Sequence, residues 1–195
     1  MNKNLIGKRI KIVIIFIFLL IPNLNKAEEI LLYADSISYD ENENIIAKGN
    51  AKIFQKNKLV VSELIIYNKI EEKIILPSKF VFKDENNNYF EGENGFFINN
   101  LNFGEFDNPK IKLNDGSRII GKKIKRDGDI DIITKGVYSP CNSRIKIGSF
   151  ICPTWQLEGE KILHDNKNLF LYQKHSKMRV INTPVFYIPY LVTPS

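Results

Sequence analysis

The stretch "IIAKGNAKIF", residues 45–54, decides the fold class. Ile45, Ala47, Gly49, Ala51 and Ile53 fall on one face, and Lys48, Asn50 and Lys52 on the other. A period of two belongs to an extended strand with one dry face and one wet face. The same alternation recurs along the chain. "KFVFK" (79–83) sets Phe80 and Phe82 on one side, and "DIDII" (129–133) sets Ile130 and Ile132 opposite Asp129 and Asp131. "SKMRV" (176–180) sets Met178 and Val180 opposite Lys177 and Arg179.

Between these runs lie segments rich in Asn, Asp and Gly, which tolerate the left-handed backbone of tight turns. They are "DENEN" (40–44), "QKNK" (55–58), "NKIEEK" (68–73), "DENNN" (84–88), "NNLN" (99–102), "NDG" (114–116), "RDGD" (126–129) and "DNKN" (165–168). No helical periodicity interrupts them after residue 27. Short apolar runs between regularly spaced turns predict an all-β fold: a sandwich, a jelly roll or a stack of hairpins. A weak repeat fits this. "ADSISYD" (34–40) returns as "SELIIYN" (62–68) and more loosely as "GEKILHD" (159–165), as expected of units that bury one face by stacking.

The first 27 residues stand apart. Lys3, Lys8, Arg9 and Lys11 precede the apolar run "IVIIFIFLLI" (12–21), Pro22 breaks it, and Ala27 offers a small residue for cleavage. That is the layout of a secretory signal peptide, and ten apolar residues are too few to span a bilayer as a helix. This segment holds five of the lysines and arginines and no acid, so the formal net charge of +6 falls to +1 in the remainder. A nearly neutral chain carries no nucleic-acid footprint. Residues 28 onward suit one domain. In an exported protein the two cysteines, Cys141 and Cys152, read as disulfide formers. The bridge joins them to each other, or joins one of them to a segment outside this chain.

The usual catalytic signatures are missing: there is no Gly-x-Ser-x-Gly elbow, P-loop, His-Glu-x-x-His or dinucleotide fingerprint. His164 and His175 flank the "DNKN" turn without an evident third ligand, so no metal site is predicted. "RDGDID" (126–131) lacks the bidentate Glu of a calcium loop and reads as a hairpin turn. Neither an enzyme nor a cofactor is expected. The apolar faces either fill a closed core or line a groove between splayed sheets, and periodicity alone permits both.

Two segments resemble a known family. Residues 34–68, with acid-x-Ile-x-Tyr-Asp, a turn, an Ala-x-Gly-x-Ala strand and a second acid-led strand, are similar to the OstA-like repeat of lipopolysaccharide-transport proteins. Tyr138, Cys141, Trp155 to Leu157, Ile162 to Asp165 and "PVFYIPYLVTP" (184–194) resemble the end of the periplasmic domain of the outer-membrane lipopolysaccharide-assembly (LptD) family. The resemblance implies a V-shaped antiparallel β-jelly-roll over residues 28–180, followed at 181–195 by a lead-in to an outer-membrane β-barrel. With no barrel after Ser195, this reading makes the chain a fragment or a truncated product.

The implied function is lipopolysaccharide transport and assembly at the periplasmic face of the outer membrane. Lipid A acyl chains would lie against inward apolar positions. The candidates are Ile37, Ala47, Ala51, Ile53 and Ile65 from the first half of the domain, with Phe80, Phe82, Phe97, Ile132 and Met178 from the rest. The implied partners are lipopolysaccharide itself and a periplasmic bridge jelly roll paired to the exposed edge near residues 30–39. A plug lipoprotein joins them if the barrel exists. Two other readings stand beside this one: a soluble bridge protein of the same repeat family, and a structural β-protein with a filled core.

Overall fold

The computed structural model describes residues 30–98, 100–140, 144–147 and 150–194. The expected signal peptide and Cys141 lie outside them. Among the described residues, all sixteen elements are strands. The first eight are β1 (Leu31–Tyr33), β2 (Ser36–Tyr39), β3 (Ile45–Gln55), β4 (Lys58–Asn68), β5 (Lys73–Leu76), β6 (Phe80–Lys83), β7 (Tyr89–Ile98) and β8 (Phe103–Lys112). The rest are β9 (Arg118–Ile120), β10 (Lys123–Asp127), β11 (Ile130–Ser139), β12 (Arg144–Ile147), β13 (Phe150–Pro153), β14 (Trp155–Asp165), β15 (Phe170–Val180) and β16 (Thr183–Pro194). Fourteen of them form one antiparallel sheet, and β12 and β13 form a separate hairpin.

Short strands share single places in that sheet. β5 and β6 both lie between β4 and β7, and β9 and β10 both lie between β8 and β11. β1 and β2 together run along β3. Each pair is one long strand broken in the middle, at residues 34–35, 77–79 and 121–122. The unbroken strands bend at the same level. There, two consecutive residues face outward in β7 (Glu93, Asn94), β8 (Asp107, Asn108), β11 (Thr134, Lys135) and β15 (Lys174, His175). In every one of these strands the second residue has a left-handed backbone, with φ of 50° at Asn94, Asn108 and Lys135 and 53° at His175. A crease therefore runs across the sheet, perpendicular to its strands.

The crease folds the sheet over on itself. Phe90 and Phe97 both face inward on β7, and seven residues of straight strand would span about 23 Å. Yet their rings lie 5.4 and 5.0 Å from the ring of Phe82. Layer 1 consists of β1 and the half-strands around residues 51–55, 58–62, 80–83, 89–92, 109–112, 118–120, 136–139, 155–159 and 176–188. Layer 2 consists of the other halves. Phe80 and Phe82 of layer 1 pack on Phe97 and Phe106 of layer 2, with Phe90 against Phe82, and all five are buried. Gly92 and Gly95, on either side of the crease, make room for this: a Cβ on either would collide with Phe106. The chain is thus an all-β, antiparallel, V-shaped jelly roll with the crease as its apex.

"TPVFYIPYLVTP" (183–194) forms the last strand of the same sheet, hydrogen-bonded to β15 along its length. The inward residues also shift in one place. Because the crease interrupts the alternation in β11, Asp131 and Ile133 face the core, whereas Ile130 and Ile132 are half-buried on the outer side.

Candidate functional site

The inner face of the V is the candidate site, and its two rims decide what can enter it. Polar side chains join the rims. Gln55 Nε2 donates to Asn100 Oδ1 at 2.6 Å, and Lys58 Nζ donates to Asn102 Oδ1. Asp84 holds the β6–β7 turn by accepting from the backbone N–H groups of Asn86 and Asn88. From that turn, Asp84 Oδ2 reaches Arg126 Nη2 at 3.6 Å, and Asn88 Nδ2 donates to Asn166 Oδ1 at 3.4 Å.

Arg126 is the centre of this closure. Its guanidinium donates through Nε and Nη2 to both oxygens of Asp131, each at 2.8 Å, and is stacked 4.9 and 4.5 Å from the rings of Phe82 and Phe90. Asn166 Nδ2 donates to Asp131 Oδ2 at 2.8 Å. His164 Nδ1 lies 3.9 Å from the same oxygen. Burial opposes the charge on Arg126, but the Asp131 and Asp84 carboxylates outweigh it and hold its pKa above the ordinary arginine value. Burial likewise works against the charge on Asp131, and Arg126 overcomes it, keeping the carboxyl below its usual range. Burial pushes His164 below its ordinary value, with Asp131 opposing. A bidentate pair with its remaining valences satisfied can stay charged in an apolar interior.

The rims meet with an offset. The β3–β4 end of layer 1 reaches the β7–β8 turn of layer 2, and the β6–β7 turn reaches the β14–β15 turn. The first strands of layer 2 and the last strands of layer 1 therefore overhang. Cross-strand partners share a face, which identifies the inner residues of these overhangs. Ile37 lies opposite buried Ala47 yet is 50% exposed. Phe186 lies opposite Met178, whose other neighbour, Leu157, is buried, yet Phe186 is 67% exposed. Apolar inner surface thus meets solvent at the two overhangs. Among the described residues, each also ends in an edge strand with one unpaired side, β1–β2 at one end and β16 at the other.

The predicted lipid-facing residues fall into three groups. Ala47, Ala51, Ile53, Ile65, Phe80, Phe82 and Phe97 face inward in the packed middle, all at 3% exposure or less. Ile37 and Met178 face inward at the overhangs, Met178 half-buried. Ile132 lies on the outer face. Sequence reasoning did not single out Phe186, Ile188 and Leu191 on the inner face of β16, nor the Arg126 network. Cys152 lies on β13 opposite Ile145.

No known family model matches the sequence, and no curated protein matches it. Among solved structures, the chain is similar to LptH of Pseudomonas aeruginosa, the LptA-homologous periplasmic component of its lipopolysaccharide transport device. The two share 13% identity over 86% of this chain and 96% of that one, with a TM-score of 0.27. So slight a likeness carries no function across; the architecture rests on the strand ladder itself.

Proposed function

We propose that this chain is a lipopolysaccharide-handling jelly roll of the outer-membrane assembly pathway, working in the periplasm by binding and transfer without catalysis. The observation that carries the reading is the exposure of inner-face apolar side chains at Ile37 and Phe186, where the stack of strands ends. Acyl chains bind there through removal of apolar area from water, roughly 25 cal/mol per Å². A second jelly roll pairing with the β1–β2 edge extends the inner face and gives lipid a continuous apolar path. The sugars and phosphates remain outside in water. The sequence resemblance to the OstA-like repeat supports the same reading, and the LptD-like segment at 184–194 favours a position next to the outer membrane.

Photo-crosslinking in cells tests it. A probe at Ile37 or Phe186 labels lipopolysaccharide, and a probe at Lys52, on the outer face, does not. The packed aromatic middle favours one other reading, a structural β-protein with a filled core. Absence of label at both overhang positions would establish that reading instead.

A further inference from the structure

The outer face of layer 1 is not an ordinary solvated sheet surface. Two cross-strand rows can be followed across it. One runs from Phe54 through Leu59, Lys83, Tyr89 and Lys112 to Arg118. The other starts at Tyr33 and Lys52, then passes through Val61, Val81 and Glu91 to Lys110, Ile120 and Val137. Five cations stand in these rows, Lys52, Lys83, Lys110, Lys112 and Arg118, against the single acid Glu91; past Val137 the second row runs on through Glu158, which Arg179 pairs at 2.7 Å, to Lys177. Apolar side chains stand out between them: Val81 is 39% exposed, Tyr89 44% and Ile120 51%. Lys83 Nζ lies 5.5 Å over the Tyr89 ring, so the stems and rings form one surface with the charges at its margin. The outer face of layer 2 differs. It carries both signs, with Lys123 paired to Glu105 at 3.1 Å.

This asymmetry sits on a chain whose net charge after residue 27 is only +1. We infer that the outer face of layer 1 is a docking surface for an anionic lipid bilayer. Charge complementarity selects a negative partner, because cations outnumber acids along these rows. The interleaved aromatic and aliphatic side chains select a bilayer over a soluble polyanion. A polyanion satisfies the cations and leaves Val81, Tyr89 and Ile120 in water. A bilayer interface takes both, with phosphates against the ammonium and guanidinium groups and the rings at headgroup depth. Docked this way, the inner face of the V stays clear of the membrane, so this surface does not compete with a ligand inside it.

The test is flotation of the chain from Glu28 onward, which carries every described strand, with vesicles of phosphatidylcholine alone or mixed with phosphatidylglycerol. The mixed vesicles retain the protein, and those of phosphatidylcholine alone retain much less. The double variant Lys112→Glu/Arg118→Glu weakens retention by roughly tenfold or more, since each cation near a negative surface contributes about fivefold. Lys161→Glu/Lys174→Glu, an equal charge change at the crease on the layer 2 side, leaves retention unchanged. Tyr89→Ser/Ile120→Ser weakens retention with every charge in place. If the glutamate variant does not fold, Lys112→Gln/Arg118→Gln still lowers retention and reports on the same surface. Failure of the mixed vesicles to retain the chain overturns the inference. So does equal loss from charge reversal on either layer, or indifference to Tyr89→Ser/Ile120→Ser, which would identify a purely ionic partner.

Discussion

Arg126 and Asp131 show how a charged pair closes an apolar fold. Each alone would be an uncompensated charge among Phe82, Phe90 and the turn backbones. Arg126→Met should therefore destabilise the domain by about 3–5 kcal/mol, because it leaves Asp131 buried and unpaired. Arg126→Met/Asp131→Leu, which removes both charges, should cost less than the single change. Urea unfolding of the two variants measures the difference. His164 adds a pH dependence within the same cluster, where it faces Asp131, Arg126, Asp84 and Asp165. Its folded pKa lies below the ordinary 6.5. The unfolded chain therefore takes up the proton first as pH falls. Stability is full above 6.5 and declines below it, by at most about 1.4 kcal/mol per pH unit. His164→Gln should flatten that decline, whereas the further loss below 3.8, from the depressed Asp131, should persist. The pair was partly legible in the sequence: Arg126 and Asp131 bracket the turn in "RDGDID" and stand directly opposite in the β10–β11 ladder. What the sequence concealed is that this turn lies against the rim of another layer, because Asp84 is 42 positions away from Arg126 along the chain.

At the scale of the strand, the crease explains both the success and the failure of period-two reasoning. Alternation within a half-strand is set by the pleat and was readable for "KFVFK" and for Ala47, Ala51 and Ile53 of "IIAKGNAKIF", which are buried as the pattern requires. Across the crease in β11 the pattern slips by one. "DIDII" leads into Thr134 and Lys135, and its inward set is Asp131 and Ile133. The slip has a local cause, a left-handed residue with no glycine to mark it. Lys135 has φ of 50° and is exposed, so its side chain gives nothing back for the backbone strain. Lys135→Gly should be neutral or stabilising by up to about 1 kcal/mol, because glycine adopts that conformation freely. Lys135→Val should cost about 1–2 kcal/mol, since a β-branched residue there is both left-handed and crowded. Thermal melts of the two variants, opposite in sign, would show that the crease is held against local preference by the packing of Phe97, Phe106 and Ile133.

Over the whole molecule, the offset between the rims divides one continuous inner face into a core and two overhangs. Nothing in the alternation of single strands reveals this division, because Ile53 and Phe186 are equally apolar and both face inward. They differ in what lies opposite. Ile53 of layer 1 is sealed beneath layer 2 at 0% exposure, whereas Phe186 extends past the last strand of layer 2 and is 67% exposed. The same substitution should therefore have opposite consequences at the two places. Ile53→Asp puts an unpaired carboxylate into packed hydrocarbon, costs several kcal/mol and should abolish the cooperative unfolding transition. Phe186→Asp places its charge in water and should change stability by less than about 1 kcal/mol. It should nevertheless suppress lipopolysaccharide crosslinking from a probe at Leu191, two inward positions along the same strand, since an acyl chain lying on β16 must pass the new carboxylate. Urea unfolding and crosslinking on the same purified variants separate the two effects. A Phe186→Asp chain that unfolds like Ile53→Asp would mean that the overhang is core and that this end of the V is closed. One that folds and still crosslinks from Leu191 as well as the unaltered chain would mean that lipid does not travel along β16.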